Sequence, residues 1–289
     1  MQQNRGERLT IATYTAILMV ATLGFSRSAA AQTVNVAPPI VQFSSEADAI
    51  SGSVTKTTLG LLQQPTVTIA PVDQSTTVTL GYNDVPANSA VQNVFGVEVY
   101  NLSTIEDITL ASDTGAQDSG QATANTGPGS LLGGLISWTS NSVPLFCFPD
   151  AHISGQVDCQ DFAKTQALII NGVTITPGTF PAGVSFPVTG PINDSQCFFG
   201  AETFSGTLVA QETQFTGDGT TAPSIKLIGL HLVGDATCST QETIALTLFR
   251  THYDLAIGGT TLTQQEKSGN GTLHIIIQPV YSLLPLGDS

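Results

Sequence analysis

Along much of the chain apolar residues recur at every second position. Val67 and Ile69 alternate with Thr66 and Thr68, Val78 and Leu80 with Thr77 and Thr79, and Phe95, Val97 and Val99 with Gly96 and Glu98. Ile244, Leu246 and Leu248 alternate likewise with Thr243, Ala245 and Thr247, and the run LHIIIQPV from Leu273 carries the pattern onward. A strand sends successive side chains to opposite faces, so each run predicts a strand with one buried and one solvent-facing side. The 39 threonines suit that arrangement, because a β-branched hydroxyl residue fits the outer face of a strand and resists helix formation. Turn signals separate the runs: Gln74-Ser75, Gly81-Tyr82-Asn83-Asp84, Pro177-Gly178, Pro181-Ala182-Gly183 and Gly217-Asp218-Gly219. Together they predict an all-β chain, an antiparallel β-sandwich that is either one elongated unit or two sub-sandwiches. No fixed-period repeat points to a solenoid or propeller.

Two stretches break the pattern. At the start, Arg5 and Arg8 precede an uncharged apolar run from Ile11 to Phe25, followed by Ala29-Ala30-Ala31. That order is the signature of a secretory signal peptide, Met1 to Ala31, with residues 32–289 as the exported domain. The run is shorter than the roughly 20 apolar residues of a spanning helix, and no later run reaches that length, so no transmembrane helix is expected in the mature chain. From Ala111 to Ser130 the sequence ASDTGAQDSGQATANTGPGS carries no bulky apolar residue, and it reads as a linker, a long surface loop or a weakly patterned edge strand.

Composition narrows the partners. Charged residues are only 10% of the chain, with 8 basic against 22 acidic. Removing Met1 to Ala31 leaves five basic residues, Lys56, Lys164, Lys226, Arg250 and Lys267, each alone in the sequence. No basic patch exists to hold a nucleic acid. Hydrophobic content of 41% excludes a disordered acidic tail. Scattered acids keep an exported protein soluble. The alternative for them is calcium, for which Asp107, Asp113 and Asp118, or Asp150, Asp158 and Asp161, are the nearest groupings, although neither has EF-hand spacing.

Cys147, Cys159, Cys197 and Cys238 form an even set in a chain bound for export, which favours two disulfides over a metal site. Three pairings are open. Loop-closure entropy favours the nested one, Cys147 with Cys238 and Cys159 with Cys197, because it closes the longest loops; pairing Cys147 with Cys159 would pin a single loop.

Catalytic motifs are scarce. The histidines, His152, His231, His252 and His274, make no HExxH or other ligand pair, and His231 and His274 sit inside apolar strand runs as hydrogen-bonded core or interface residues. No GxSxG elbow and no phosphate-cradling glycine motif occurs. Glu202, Glu212 and Asp218 have no spacing that singles them out as paired glycosidase carboxylates. Only FRTHYDL gathers a base, a cation and a carboxylate: alternation places Arg250, His252 and Asp254 on one strand face, as a polar ridge or a small binding site. Trp138 is the one tryptophan, which weakens a lectin reading.

The order of segments resembles the choice-of-anchor P family of exported bacterial surface proteins. The matching pieces are ADAISGSV from Ala47, PTVTIAP from Pro65, VFGVEVYNLSTIEDITLASDTG from Val94 and SLLGGLISW from Ser130. ALIINGVTITPGTFPAGVSFPV from Ala167, GTLVAQETQFTGDGTTAPSIKLIGLHLV from Gly206 and Cys238 complete the set. The resemblance implies an exported β-rich ectodomain and supplies no catalytic residue. The chain departs from it in lacking a recognisable C-terminal sorting signal and in carrying about 50 residues of strand-like sequence after Cys238. The expectation is therefore a secreted or surface-associated bacterial protein, non-catalytic and without a cofactor, whose structural, adhesive or assembly role involves a protein or cell-surface component or its own copies. The apolar C-terminal run from Leu273 is expected to close its own sandwich; the alternative, which would serve assembly, is that it adds to another subunit's sheet. A secreted hydrolase or carbohydrate-binding module is the alternative.

Overall fold

A computed structural model describes residues 41–58, 66–72, 74–78, 81–112, 119–149, 157–175, 183–197, 200–216, 224–240, 247–266 and 278–279. The expected signal peptide, Asp113, Asp118, Asp150, His152, Asp218, His274 and most of the run from Leu273 lie outside them. Among the described residues the chain forms β1 (Val41–Thr58), β2 (Val67–Ile69), β3 (Ser75–Val78), β4 (Gly81–Val94), β5 (Val97–Ser112), β6 (Ser119–Thr126), β7 (Gly129–Leu131), β8 (Ile136–Trp138) and β9 (Ser140–Pro149). There follow β10 (Val157–Asp161), β11 (Lys164–Gln166), β12 (Ile169–Ile170), β13 (Val173–Thr174), β14 (Val184–Ile192), β15 (Gly200–Thr216), β16 (Ser224–Thr240), β17 (Thr247–Glu266) and β18 (Gln278–Pro279). One 3-10 turn, Leu132–Gly134, lies between β7 and β8.

These strands make two sheets that pack face to face. The first runs β14-β15-β16-β17-β1-β2, with β3 also on β1. The second runs β13-β12-β8-β7-β5-β6-β9-β10-β18, with β4 on β5 and β11 on β9. All the pairings are antiparallel except β10 with β18, where Gln278 and Pro279 lie beside Gln160 and Asp161 at the sheet margin. The all-β sandwich expected from alternation is the fold observed. Its main core lies between the sheets, around Ile50, Leu102, Ile105, Leu208, Leu232, Tyr253 and Leu255. Each such side chain stabilises the fold by roughly 1.5–3 kcal/mol when fully buried.

Three local expectations need correction. Phe95 and Gly96 form the tight turn between β4 and β5 instead of continuing a strand, with φ of 50° and 91°. Both central residues of such a hairpin turn need positive φ, a demand that the apolar alternation through Phe95 conceals. Gly81 to Asp84, read as a turn, opens β4 instead, because its pairing with Ile108 to Ala111 supplies the backbone partners. Within the small-residue stretch, residues 113–118 lie outside the described residues, and residues 119–126 form β6, which is no edge strand: it sits between β5 and β9, inside the second sheet. Its glycine and alanines are small because the other sheet presses on them. Ala122 and Ala124 are fully buried, and a Cβ on Gly120 would lie 2.8 Å from the Cβ of Phe43.

The disulfides also differ from the nested preference. Cys147 pairs with Cys159, and Cys197 with Cys238. Topology explains this, since Cys147 and Cys159 are directly opposite on β9 and β10 of the second sheet, while Cys238 lies on β16 of the first. Entropy favours long loops, but only thiols that the strand register has already brought together can join.

Candidate functional site

The Arg250, His252 and Asp254 side chains share the outer face of β17, as alternation predicts, and all three are exposed. They do not act on one another. Arg250 donates to Asp235 on β16 at 2.6 Å, and His252 Nδ1 meets the other oxygen of that carboxylate at 3.1 Å. Asp254 turns instead to His231 on β16, whose Nε2 it meets at 2.8 Å, and His231 Nδ1 meets Glu212 on β15. The face thus carries two separate polar clusters. His231, expected in the core or an interface, is half-buried on this outer face and held between two carboxylates. Glu212 had no distinguishing spacing in the sequence, and Asp235 none at all. Their only signal is phase: Asp235 and His231 alternate with the buried Leu230, Leu232 and Ala236.

The electrostatics of the two clusters follow from these contacts. Burial works against charge on His231, but the Asp254 and Glu212 carboxylates outweigh it and raise the imidazole above its ordinary value of 6.5. Burial likewise opposes the Glu212 charge, yet Gln214 and His231 hold this carboxyl below its usual range. Asp235 is also held low, with Arg250 and His252 overcoming its partial burial. A histidine with both ring nitrogens engaged by carboxylates is a poor general base, because the proton it would accept is already present.

A third cluster is buried at the end of the same sheet, on its inner face. Lys56 of β1 and Glu202 of β15 point inward in phase with Val54 and Phe204, and the segment after β14 brings in Asp194 and Gln196. The Lys56 Nζ lies 3.6 Å from Asp194 Oδ2, donates to Gln196 Oε1 at 2.6 Å, and sits over the Phe249 ring 3.5 Å from its centroid. The Lys56 and Asp194 side chains are 5% and 1% exposed. Burial, with the Asp194 carboxylate beside it, pushes the Glu202 carboxyl up to about 8 despite nearby Lys56. Burial and the same two carboxyls raise the Tyr253 phenol strongly, and its hydroxyl has no hydrogen-bond partner. Gly96 matters here: a Cβ on it would come within 2.4 Å of Asp194 Oδ1, and its carbonyl accepts from the Ser195 amide at 3.2 Å.

The outer face of the second sheet carries an open groove of about 520 Å³, crossed by β4, β5, β6 and β9. Glu106, Asn125 and Ser142 form a hydrogen-bonded row on its floor: Asn125 donates to Glu106 at 3.2 Å, and Ser142 donates to Asn125 at 2.6 Å. Trp138 is not available to such a groove, being 3% exposed with its Nε1 donating to Thr126 Oγ1. The calcium groupings are incomplete within the described residues: Asp107 is buried in β5, and Asp161 accepts from the Ala163 amide. No three metal-ligating side chains converge among the described residues, and no helix there is long and apolar enough to cross a membrane.

Comparison with protein-family models, with curated proteins and with solved structures finds no match.

Proposed function

We propose that this chain is an exported, non-catalytic β-sandwich that serves a structural or adhesive role at a bacterial cell surface, as its resemblance to choice-of-anchor P proteins also suggests. The observation that carries this reading is the state of the outer histidine face. Its bases and acids pair with one another, Arg250 and His252 with Asp235, and His231 with Glu212 and Asp254, so the two histidines among the described residues are both engaged by carboxylates. The two disulfides support residence in an oxidising compartment.

Expression of the full chain with a C-terminal tag in a bacterial host tests the reading. The expected result is a processed chain outside the cytoplasm that associates with intact cells and is removed from them by protease. A chain retained unprocessed in the cytoplasm would overturn export. Turnover of ester or glycoside substrates that is lost on His231→Ala would overturn the non-catalytic reading.

The groove on the second sheet favours one alternative, a carbohydrate-binding module. Its Glu106, Asn125 and Ser142 row offers acceptors and donors suited to sugar hydroxyls. Glycan-array binding that disappears in Glu106→Ala would establish it.

A further inference from the structure

The inner-face cluster brings together an amine, a carboxyl that can accept it, and a second carboxyl beside them. We propose that Lys56 and Asp194 join in an intramolecular isopeptide bond, with Glu202 as the proton-transferring residue. This modification site is independent of the surface role proposed above. A lysine inside a sandwich is ordinarily drawn to the margin by its charge; Lys56 is instead 4% exposed, and its amine is fixed over the face of Phe249, with Phe95 on another side at 5.8 Å. The amine is paired with a carboxylate at 3.6 Å that it does not reach by a hydrogen bond. Such an ion pair, withdrawn from water, is worth little as a pair and leaves both groups poised beside each other.

The reaction balances without any co-reactant. An ammonium and a carboxylate become an amide and one water. Glu202 starts protonated and gives its proton to the Asp194 carboxylate, which makes Cγ electrophilic; it then takes a proton from the Lys56 ammonium, and the freed lone pair attacks Cγ of Asp194. The C–O bond breaks as the second proton lost from nitrogen joins the departing hydroxyl to form the water, and Glu202 ends protonated as it began. Two features suit Glu202 to this task. No other side-chain or backbone donor reaches either of its buried oxygens, and burial with a hydrogen bond to Asp194 raises its carboxyl to about 8, so that it carries at neutrality a proton it can pass to Asp194. Holding the reacting groups side by side replaces an encounter in solution, and a dry site disfavours hydrolysis of the product. The bond would link β1 to the end of β14 across three intervening strands, and the Cys197–Cys238 disulfide already anchors the same segment.

Intact-mass spectrometry of the folded full chain, after complete disulfide reduction, tests this directly. The expected mass is one water below that of the processed sequence, and digestion is expected to yield a branched peptide joining Lys56 to Asp194. Asp194→Ala and Lys56→Arg should each restore the full mass. Asp194→Asn provides a variant of nearly unchanged shape: it should lose ammonia in place of water and give the same branched peptide. Glu202→Gln should slow the loss while leaving the circular dichroism spectrum that of the wild type. Full mass in the folded wild-type chain, or a water loss that persists in Lys56→Arg, would overturn the proposal. An unchanged rate in Glu202→Gln would remove the role given to Glu202.

Discussion

At the scale of single residues, folding shifts two acids of the first sheet in opposite directions, Glu212 down and Asp48 up. The His231 imidazole is raised above 6.5, so its contribution to stability is complete below that value and is lost as pH climbs through the folded-state value. Glu212 is held below 4.5, so its contribution is present above 4.5 and disappears as pH falls through its folded-state value. The His231–Glu212 pair therefore stabilises most between those limits. Glu212→Gln is expected to lower the His231 titration midpoint read from its imidazole resonances; an unmoved midpoint would show that Asp254 alone holds the proton. Asp48 on β1 behaves differently, because burial lifts its carboxyl to about 6 despite Lys226 and Ser51. An acid raised on folding costs stability as pH rises from 3.8 to about 6, and the cost persists above that range. Asp48→Asn should thus raise stability at neutral pH by about 1–3 kcal/mol, with no gain below pH 3.8, so that the fall in stability between 3.8 and about 6 disappears from the profile in chemical denaturation. The phase of alternation revealed which side chains of β17 share a face. It could not reveal that Asp235 would capture two of them and His231 the third, because those partners come from another strand whose register is set by distant pairing.

At the scale of elements, β6 shows why a small-residue stretch misleads. Composition alone makes SGQATANT resemble a linker, since it lacks the bulk that normally marks a buried strand. Its function in the fold is to let Phe43 approach from the opposing sheet, and that relation joins residues far apart in sequence. Gly120→Val should therefore destabilise the chain by about 1–3 kcal/mol through overpacking, measured as a fall in the urea midpoint. Combining it with Phe43→Ala should cost less than the sum of the two single changes, and strict additivity would sink the packing explanation. The long strands β16 and β17 were legible as strands from the runs LIGLHLV and FRTHYDL, whereas β1 was not singled out. Lys56 and Glu202 each looked isolated in the sequence; their common inward phase, beside Val54 and Phe204, gains meaning only once the segment after β14 supplies Asp194. The Phe95-Gly96 turn was hidden by the apolar alternation running through it.

At the scale of the whole molecule, two sheets share one interior, and covalent links reinforce different parts of it. The Cys147–Cys159 bridge closes a sequence separation of 12 and the Cys197–Cys238 bridge one of 41, so their removal should cost about 3 and about 4 kcal/mol respectively. Thermal melts of the two paired Cys→Ser variants check this order, and equal losses would point to native-state effects over loop entropy. The pairing of β1 with β17 has one more consequence. Val41 lies opposite Glu266 at one end of this ladder and Thr58 opposite Phe249 at the other, so pulling Val41 and Glu266 apart loads the hydrogen bonds one after another, not all at once. Such a ladder opens like a zipper at modest force. Lys56, opposite Thr251, sits near the far end of it, and a covalent bond there would turn a strand that peels away into one that is caught before it detaches.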